Sequence, residues 1–240
     1  MKATNNVDAQ VRHLDFDSGT ALAAALASRV AQALAEAIES RGQATLAVSG
    51  GSTPKRFFAE LSKQPISWGK VTVTLVDERM VGPEHERSNH RLASQHLLQN
   101  RAADAGFVPL HMKSENAESA AANAAERIEA LALPFDVVVL GMGTDGHTAS
   151  FFPGGTTLAQ VTDPACPASV MAIEAPGADE PRLTLTLPRI IEAGLLVLHI
   201  EGEAKRAVLA SALEPGPEQA MPVRAVLRQA KRPLEIYWAP

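Results

Sequence analysis

The sequence predicts an α/β fold built on a mostly parallel sheet, and two observations carry that prediction. Short runs rich in Val, Leu and Thr alternate along the chain with longer stretches whose apolar residues recur every three or four positions. Strands that alternate with helices return parallel to one another, with helices on both faces. Three of the apolar runs also end in turns dense in Gly, Ser, Asp and His. In a parallel sheet those ends share one edge, where α/β proteins bind ligands. The expected architecture is a three-layer αβα sandwich around a Rossmann-like sheet.

Taken in order, Asp17, Ser18 and Gly19 offer capping oxygens to a helix whose Leu22, Leu26, Val30, Leu34 and Ile38 share one face, and Gly42 stops it. Residues 45–48 read as a buried strand broken by SGGSTP at 49–54. Pro54 suits the first position of a helix running through Phe57, Phe58 and Leu61. A strand over 71–76 ends in Asp77, Glu78 and Arg79, and 88–98 and 117–131 read as helices. The strand 137–140 empties into GMGTDGHTAS at 141–150, where Thr148, Ala149 and Ser150 look like the opening of a helix. Further strands are expected over 169–173, 182–187 and 195–200, then a helix over 203–212 and a closing strand over 235–238. The Pro- and Gly-rich stretches at 153–167 and 214–222 are too short to separate domains, and no repeat or composition break appears, so residues 1–240 are expected to form a single domain.

Composition narrows the function. Hydrophobic residues make up 46% and charged residues 20%, as in ordinary soluble proteins. A net charge of −5 argues against nucleic-acid and anionic-membrane partners, yet leaves room for a small basic pocket that takes an anionic metabolite. The lone Cys166 excludes an internal disulfide framework and suits a reducing compartment. The first residues, MKATNNVDAQ, lack a signal-like apolar core, and no continuous apolar run reaches membrane-spanning length. A cytoplasmic chain, monomeric or weakly dimeric, is the expectation.

Chemistry concentrates in the three strand-end turns. SGGSTP has the makings of an anion cradle: Gly50 and Gly51 let backbone N–H groups turn inward, Ser49, Ser52 and Thr53 add hydroxyls, and a helix start adds a positive dipole end. It matches neither GxxxxGK[ST] nor GxGxxG, so a phosphate on a small molecule is favoured over a nucleotide. Arg79 and Lys205 are candidate cations for that phosphate, although a surface lysine or an Arg79 ion pair with Asp77 or Glu78 would look the same in sequence. His147 can exchange a proton near neutral pH, and Asp145 or Asp77 is placed to orient it. The remaining histidines, 13, 85, 90, 96, 111 and 199, show no metal-ligand spacing, so neither metal nor cofactor is expected. The serine-hydrolase elbow GxSxG is absent, and Cys166 lies between prolines in an irregular loop, which favours histidine-activated water over a covalent intermediate.

SGGSTP, the DER at 77–79 with Ser88 and Asn89 beyond it, GMGTDGHTASFFPG, RLTLTLP at 182–188 and EGEAK at 201–205 together resemble the glucosamine-6-phosphate isomerase/6-phosphogluconolactonase family, in its order and across about residues 45–209. The resemblance implies hydrolysis of a small sugar-phosphate lactone, 6-phospho-D-glucono-1,5-lactone, in the oxidative pentose phosphate pathway. It also implies that His147 is the base, and that Arg79, Lys205 and the SGGSTP loop hold phosphate, with Asn89 among the substrate-binding residues. The family's deaminases carry a glutamate five residues after the histidine, where this chain has Phe152. An isomerase or deaminase is therefore the lesser reading. A non-catalytic sugar-phosphate sensor would need a DNA-reading module, and no helix-turn-helix precedes the first strand.

Overall fold

The computed structural model describes residues 11–176 and 178–240. Seven strands form one sheet in the order β1-β10-β9-β6-β2-β3-β5, with every neighbouring pair parallel. They are β1 (Val11–Asp15), β2 (Ala44–Val48), β3 (Val71–Leu75), β5 (Gly106–Val108), β6 (Val137–Leu140), β9 (Leu195–Glu201) and β10 (Leu234–Ala239). Every residue of β2 and β6 is buried, as expected of central strands covered on both faces.

The helices that cover the sheet include α1 (Gly19–Arg41), α2 (Lys55–Leu61), α4 (Ala117–Glu129), α7 (Glu203–Leu213) and α8 (Val223–Gln229). The Ser18 hydroxyl accepts from the Ala21 N–H at 3.2 Å and so caps α1, while Gly42, at φ 78°, closes its end. Ser18→Ala would cost about 1 kcal/mol by loss of that cap. By length and mean composition α1 is apolar enough to cross a membrane, although charged residues interrupt it and it holds no continuous apolar run of that length. Its Leu22, Leu26, Val30 and Leu34 are instead fully buried in the protein core.

Three expectations fail instructively. The DER segment is not a polar turn but a strand, β4 (Asp77–Arg79), in a second, antiparallel sheet of order β4-β8-β7. Its partners are β7 (Val170–Ile173) and β8 (Arg182–Leu185), two of the later strands expected from the pattern. Val76 is the pivot: its N–H donates to Val48 of the large sheet and its carbonyl accepts from Leu185 of the small one. After β8 the chain turns into α6 (Leu187–Ile191), so the strand stops short of 187. Thr148–Ser150 opens no helix, because both hydroxyls are bonded elsewhere in the fold and Ala149 adopts φ 50°. The edge strands β1 and β5 and the helix α8 were not apparent in the pattern.

Chain order reverses between β2 and β6. From β2 the sheet grows through β3 to β5, and from β6 it grows the other way through β9, β10 and β1. The crevice beyond the C-terminal ends of β2 and β6 is the switch point of the sheet, the place where such folds bind ligands.

Candidate active site

A cleft of about 260 Å³ opens at that switch point. Its walls come from the SGGSTP turn after β2, from Asp77 and Arg79 of β4, from Gly141–Gly143 and His147 after β6, from Arg182 of β8, and from Glu201 and Lys205 at the β9–α7 junction. Ser49, Gly50, Gly51, Ser52, Thr53, Asp77, Arg79, Asn89, His147 and Lys205, all anticipated from sequence, line it together. Asp145 stands behind His147 and is not part of the wall.

The turn after β6 is locked internally. Asp145 Oδ1 lies 2.6 Å from His147 Nδ1 and also accepts the His147 N–H at 3.1 Å. That bond, above all, holds the Asp145 carboxyl at about 2. The contact engages Nδ1, and Nε2 has no partner among the described residues. Asp77, the other candidate for this duty, is engaged elsewhere: its Oδ2 accepts from Ser150 Oγ at 2.7 Å, and Arg182 Nη1 lies 3.9 Å away. The Gly143 N–H donates to the His147 carbonyl, the Gly141 N–H to Ser49 Oγ at 3.1 Å, and Thr148 Oγ1 to the Gly141 carbonyl at 2.7 Å. A Cβ on Gly143 would overlap both His147 Nδ1 and Asp145 Oδ1. The absent Cβ at Gly143 makes room for the protein's own His147 and Asp145, not only for a ligand.

The turn after β2 is open by contrast. Among the described residues, the N–H groups of Gly50 to Thr53 have no acceptor. Gly51 has φ 97°, and nothing lies within reach of a Cβ there. At Gly50 a Cβ would overlap the Asn89 side chain. Asn89 is thereby pinned: Oδ1 accepts from Arg79 Nη1 at 2.7 Å, and Nδ2 donates to the Asp77 carbonyl at 2.8 Å. Its polar atoms hold neighbouring residues more than they face the cleft.

Three cations border the cavity. Lys205 Nζ donates to the Met142 carbonyl at 2.6 Å, and burial draws its pKa down. Arg79 uses Nη1 on Asn89 and the Arg87 carbonyl, while its buried Nε has no partner among the described residues. Arg182, missed in the sequence reading, has an equally unpartnered Nε, and burial, then the nearby Arg79 charge against the pull of Asp77, bears on its pKa, which is lowered. The register sets Arg79 directly opposite Arg182. Like charges facing each other across an antiparallel pair are destabilising, and a buried guanidinium with idle donors adds to the cost. An anion between them would relieve both. The only sequence signal for Arg182 was its position at the head of RLTLTLP, and its cross-strand partner cannot be read from that motif.

Phe152 packs behind His147. The centroids of the two rings lie 4.4 Å apart, and the Arg182 guanidinium sits over the Phe152 ring, 5.4 Å from its centroid. An apolar ring thus packs against His147 at the position five residues after it. Beyond Lys205, the buried His199 Nε2 lies 3.2 Å from Glu201 Oε1, and Glu201 also pairs with Arg56 at 3.2 Å. The His199 contact is the main reason the Glu201 carboxyl is drawn below its ordinary value. No group of three or more His, Cys, Asp or Glu among the described residues is arranged to hold a metal.

This geometry agrees with what the chain is similar to. The family of glucosamine-6-phosphate isomerases/6-phosphogluconolactonase matches residues 17–238. A 6-phosphogluconolactonase of Rhizobium meliloti (strain 1021) is 60% identical over 225 residues, covering 94% of this chain and 97% of the relative. One from Mesorhizobium japonicum is 54% identical, covering 94% of each. The crystal structure of a 6-phosphogluconolactonase from Shewanella baltica OS155 superposes with a TM-score of 0.93 at 43% identity, covering 96% of this chain and 98% of that one. The chain belongs to the glucosamine-6-phosphate isomerase/6-phosphogluconolactonase family.

Proposed function

We propose that this member of the family hydrolyses 6-phospho-D-glucono-1,5-lactone to 6-phosphogluconate, with His147 as the base that activates water. The Asp145–His147 contact at 2.6 Å, with Nε2 left free beside a cleft bordered by three cations, is the observation that carries the reading. Asp145 fixes the ring orientation and balances the imidazolium as it forms, and so acts as a positioning residue.

The steps follow from that geometry. His147 Nε2 takes a proton from water as the water oxygen bonds to the lactone carbonyl carbon. The tetrahedral intermediate collapses with cleavage of the bond between that carbon and the ring oxygen. The imidazolium returns its proton to the leaving ring oxygen, giving the open-chain hydroxy acid, which ionises in solvent. Arg79, Arg182, Lys205 and the free N–H groups of Gly50–Thr53 hold the phosphate and position the reacting carbonyl. Asp77 keeps Arg182 and Ser150 in place. The engaged N–H groups of Gly141 and Gly143 take no part in binding the oxyanion.

The test is a coupled assay with freshly generated 6-phosphogluconolactone, run beside glucosamine 6-phosphate. Lactone hydrolysis with no ammonia release is expected. Ammonia release from the amino sugar would reverse the assignment. Arg79→Ala and Lys205→Ala should raise KM about 10–100-fold for the phosphorylated lactone and change turnover of glucono-1,5-lactone little.

A further inference from the structure

Glu78 is the one residue of the DER strand that faces away from the cleft, as strand alternation requires, and it is almost wholly buried. A buried carboxylate is costly unless its oxygens are satisfied. Here four donors converge on it. Oε1 accepts from the Arg79 N–H at 2.7 Å and the Asn89 N–H at 2.8 Å, and Oε2 accepts from the His90 N–H at 2.7 Å and Ser88 Oγ at 3.0 Å. No cation among the described residues offsets the charge: burial pushes the Glu78 carboxyl up, and these hydrogen bonds draw it back. The positive pole is the start of α3 (Asn89–His96), whose first two N–H groups point at the carboxylate and whose cap, Ser88, also accepts from the Arg91 N–H.

We propose that Glu78 is a positioning residue of the reaction, which aims the Arg79 guanidinium at the substrate phosphate by fixing the backbones of Arg79 and Asn89. The linkage is short. The carboxylate holds the Asn89 N–H, the Asn89 side chain holds Arg79 Nη1 and the Asp77 carbonyl, and the absent Cβ of Gly50 gives that side chain its seat. A single buried anion thus ties β4 to the helix that follows it, across the 80–87 loop, whose residues 82–86 are exposed. It leaves Arg79 only the freedom to meet a ligand. This rests on the reading that Arg79 binds the phosphate.

The experiment is a double-mutant cycle in steady-state kinetics with Glu78→Gln, Asn89→Ala and the pair. Glutamine keeps the shape but turns one acceptor oxygen into a donor, so two of the four donors lose their partner. Glu78→Gln and Asn89→Ala should each raise KM for the phosphorylated lactone about tenfold, with kcat within about threefold. The double variant should be no worse than the poorer single one. A protein merely loosened would lose active fraction, and so kcat, without that split. Parental KM in Glu78→Gln, or effects that multiply in the double variant, would overturn the proposal. Unchanged KM in Arg79→Ala would strike the phosphate reading itself. Should Glu78→Gln not fold, Glu78→Asp keeps both oxygens one methylene shorter, and the same split between KM and kcat decides.

Discussion

The two glycine-rich turns that face each other across the switch point, 49–54 after β2 and 141–150 after β6, look alike in sequence and differ in physical state. The β6 turn is closed, partly within itself and partly onto Ser49 and Asp77: its glycine N–H groups are engaged, its Thr148 and Ser150 hydroxyls are buried and bonded, and Gly143 leaves room for His147 and Asp145. Among the described residues, the β2 turn keeps four consecutive N–H groups without an acceptor beside the cleft. One turn is folded around the Asp145–His147 pair. The other presents donors, as the proposed phosphate site requires. Glycine content by itself does not distinguish a turn that admits ligand from one that admits the protein's own catalytic group, and only the fate of the N–H groups separates them.

The largest effect expected from this contrast is at the base. His147→Ala should lower kcat by about 10²–10⁴-fold with little change in substrate binding. Near-parental turnover would remove His147 from the mechanism and reduce the β6 turn to scaffold. Gly143→Ala comes next: the new methyl group has to displace His147 and Asp145, so kcat should fall about 10²-fold while KM holds. Gly51→Ala is its counterpart on the open turn. The positive φ is strained but the space is free, so KM should rise several-fold and kcat should change less. If both glycine variants acted on the same kinetic constant, the division of labour between the turns would be wrong.

The smallest effect is one of pH. The Asp145 carboxyl is lowered from 3.8 to about 2, so its contact with His147 is fully present above about pH 4 and is lost only as pH falls through about 2. Asp145 therefore stays charged wherever the enzyme works. Replacing it with Asn keeps the shape but removes the charge that balances the imidazolium, so kcat should fall about tenfold while KM holds. Parental kcat would mean that Asp145 does not act on His147 in turnover.

Much of the site could be read from the chain because its parts are local. The Asp145–His147 pair spans two residues of one turn, and the SGGSTP cradle is a single strand-to-helix connection. Alternating strands and helices, together with polar turns after the strands, are enough to bring both to one sheet edge. Arg182 and Glu78 escaped notice for a different reason. Arg182 opens a strand whose residues are all buried, so no alternation marks its side, and Glu78 resembles a solvated acid until its four donors are seen. The helix expected at Thr148 failed because tertiary partners, Gly141 and Asp77, claimed its hydroxyls.

The sequence by itself determined the parallel sheet, the edge on which chemistry gathers and the candidate histidine, since periodicity and turn composition encode these within a few residues, while it left Asp145 and Asp77 both open as that histidine's partner. Only the tertiary structure decided that DER leaves the main sheet, that Arg79 meets Arg182 across a second one, and that Asn89 fills the space Gly50 leaves open. Those outcomes depend on the register between segments remote along the chain. Register is set by how their buried side chains pack and by which buried polar groups find partners, and neither is written in any local pattern.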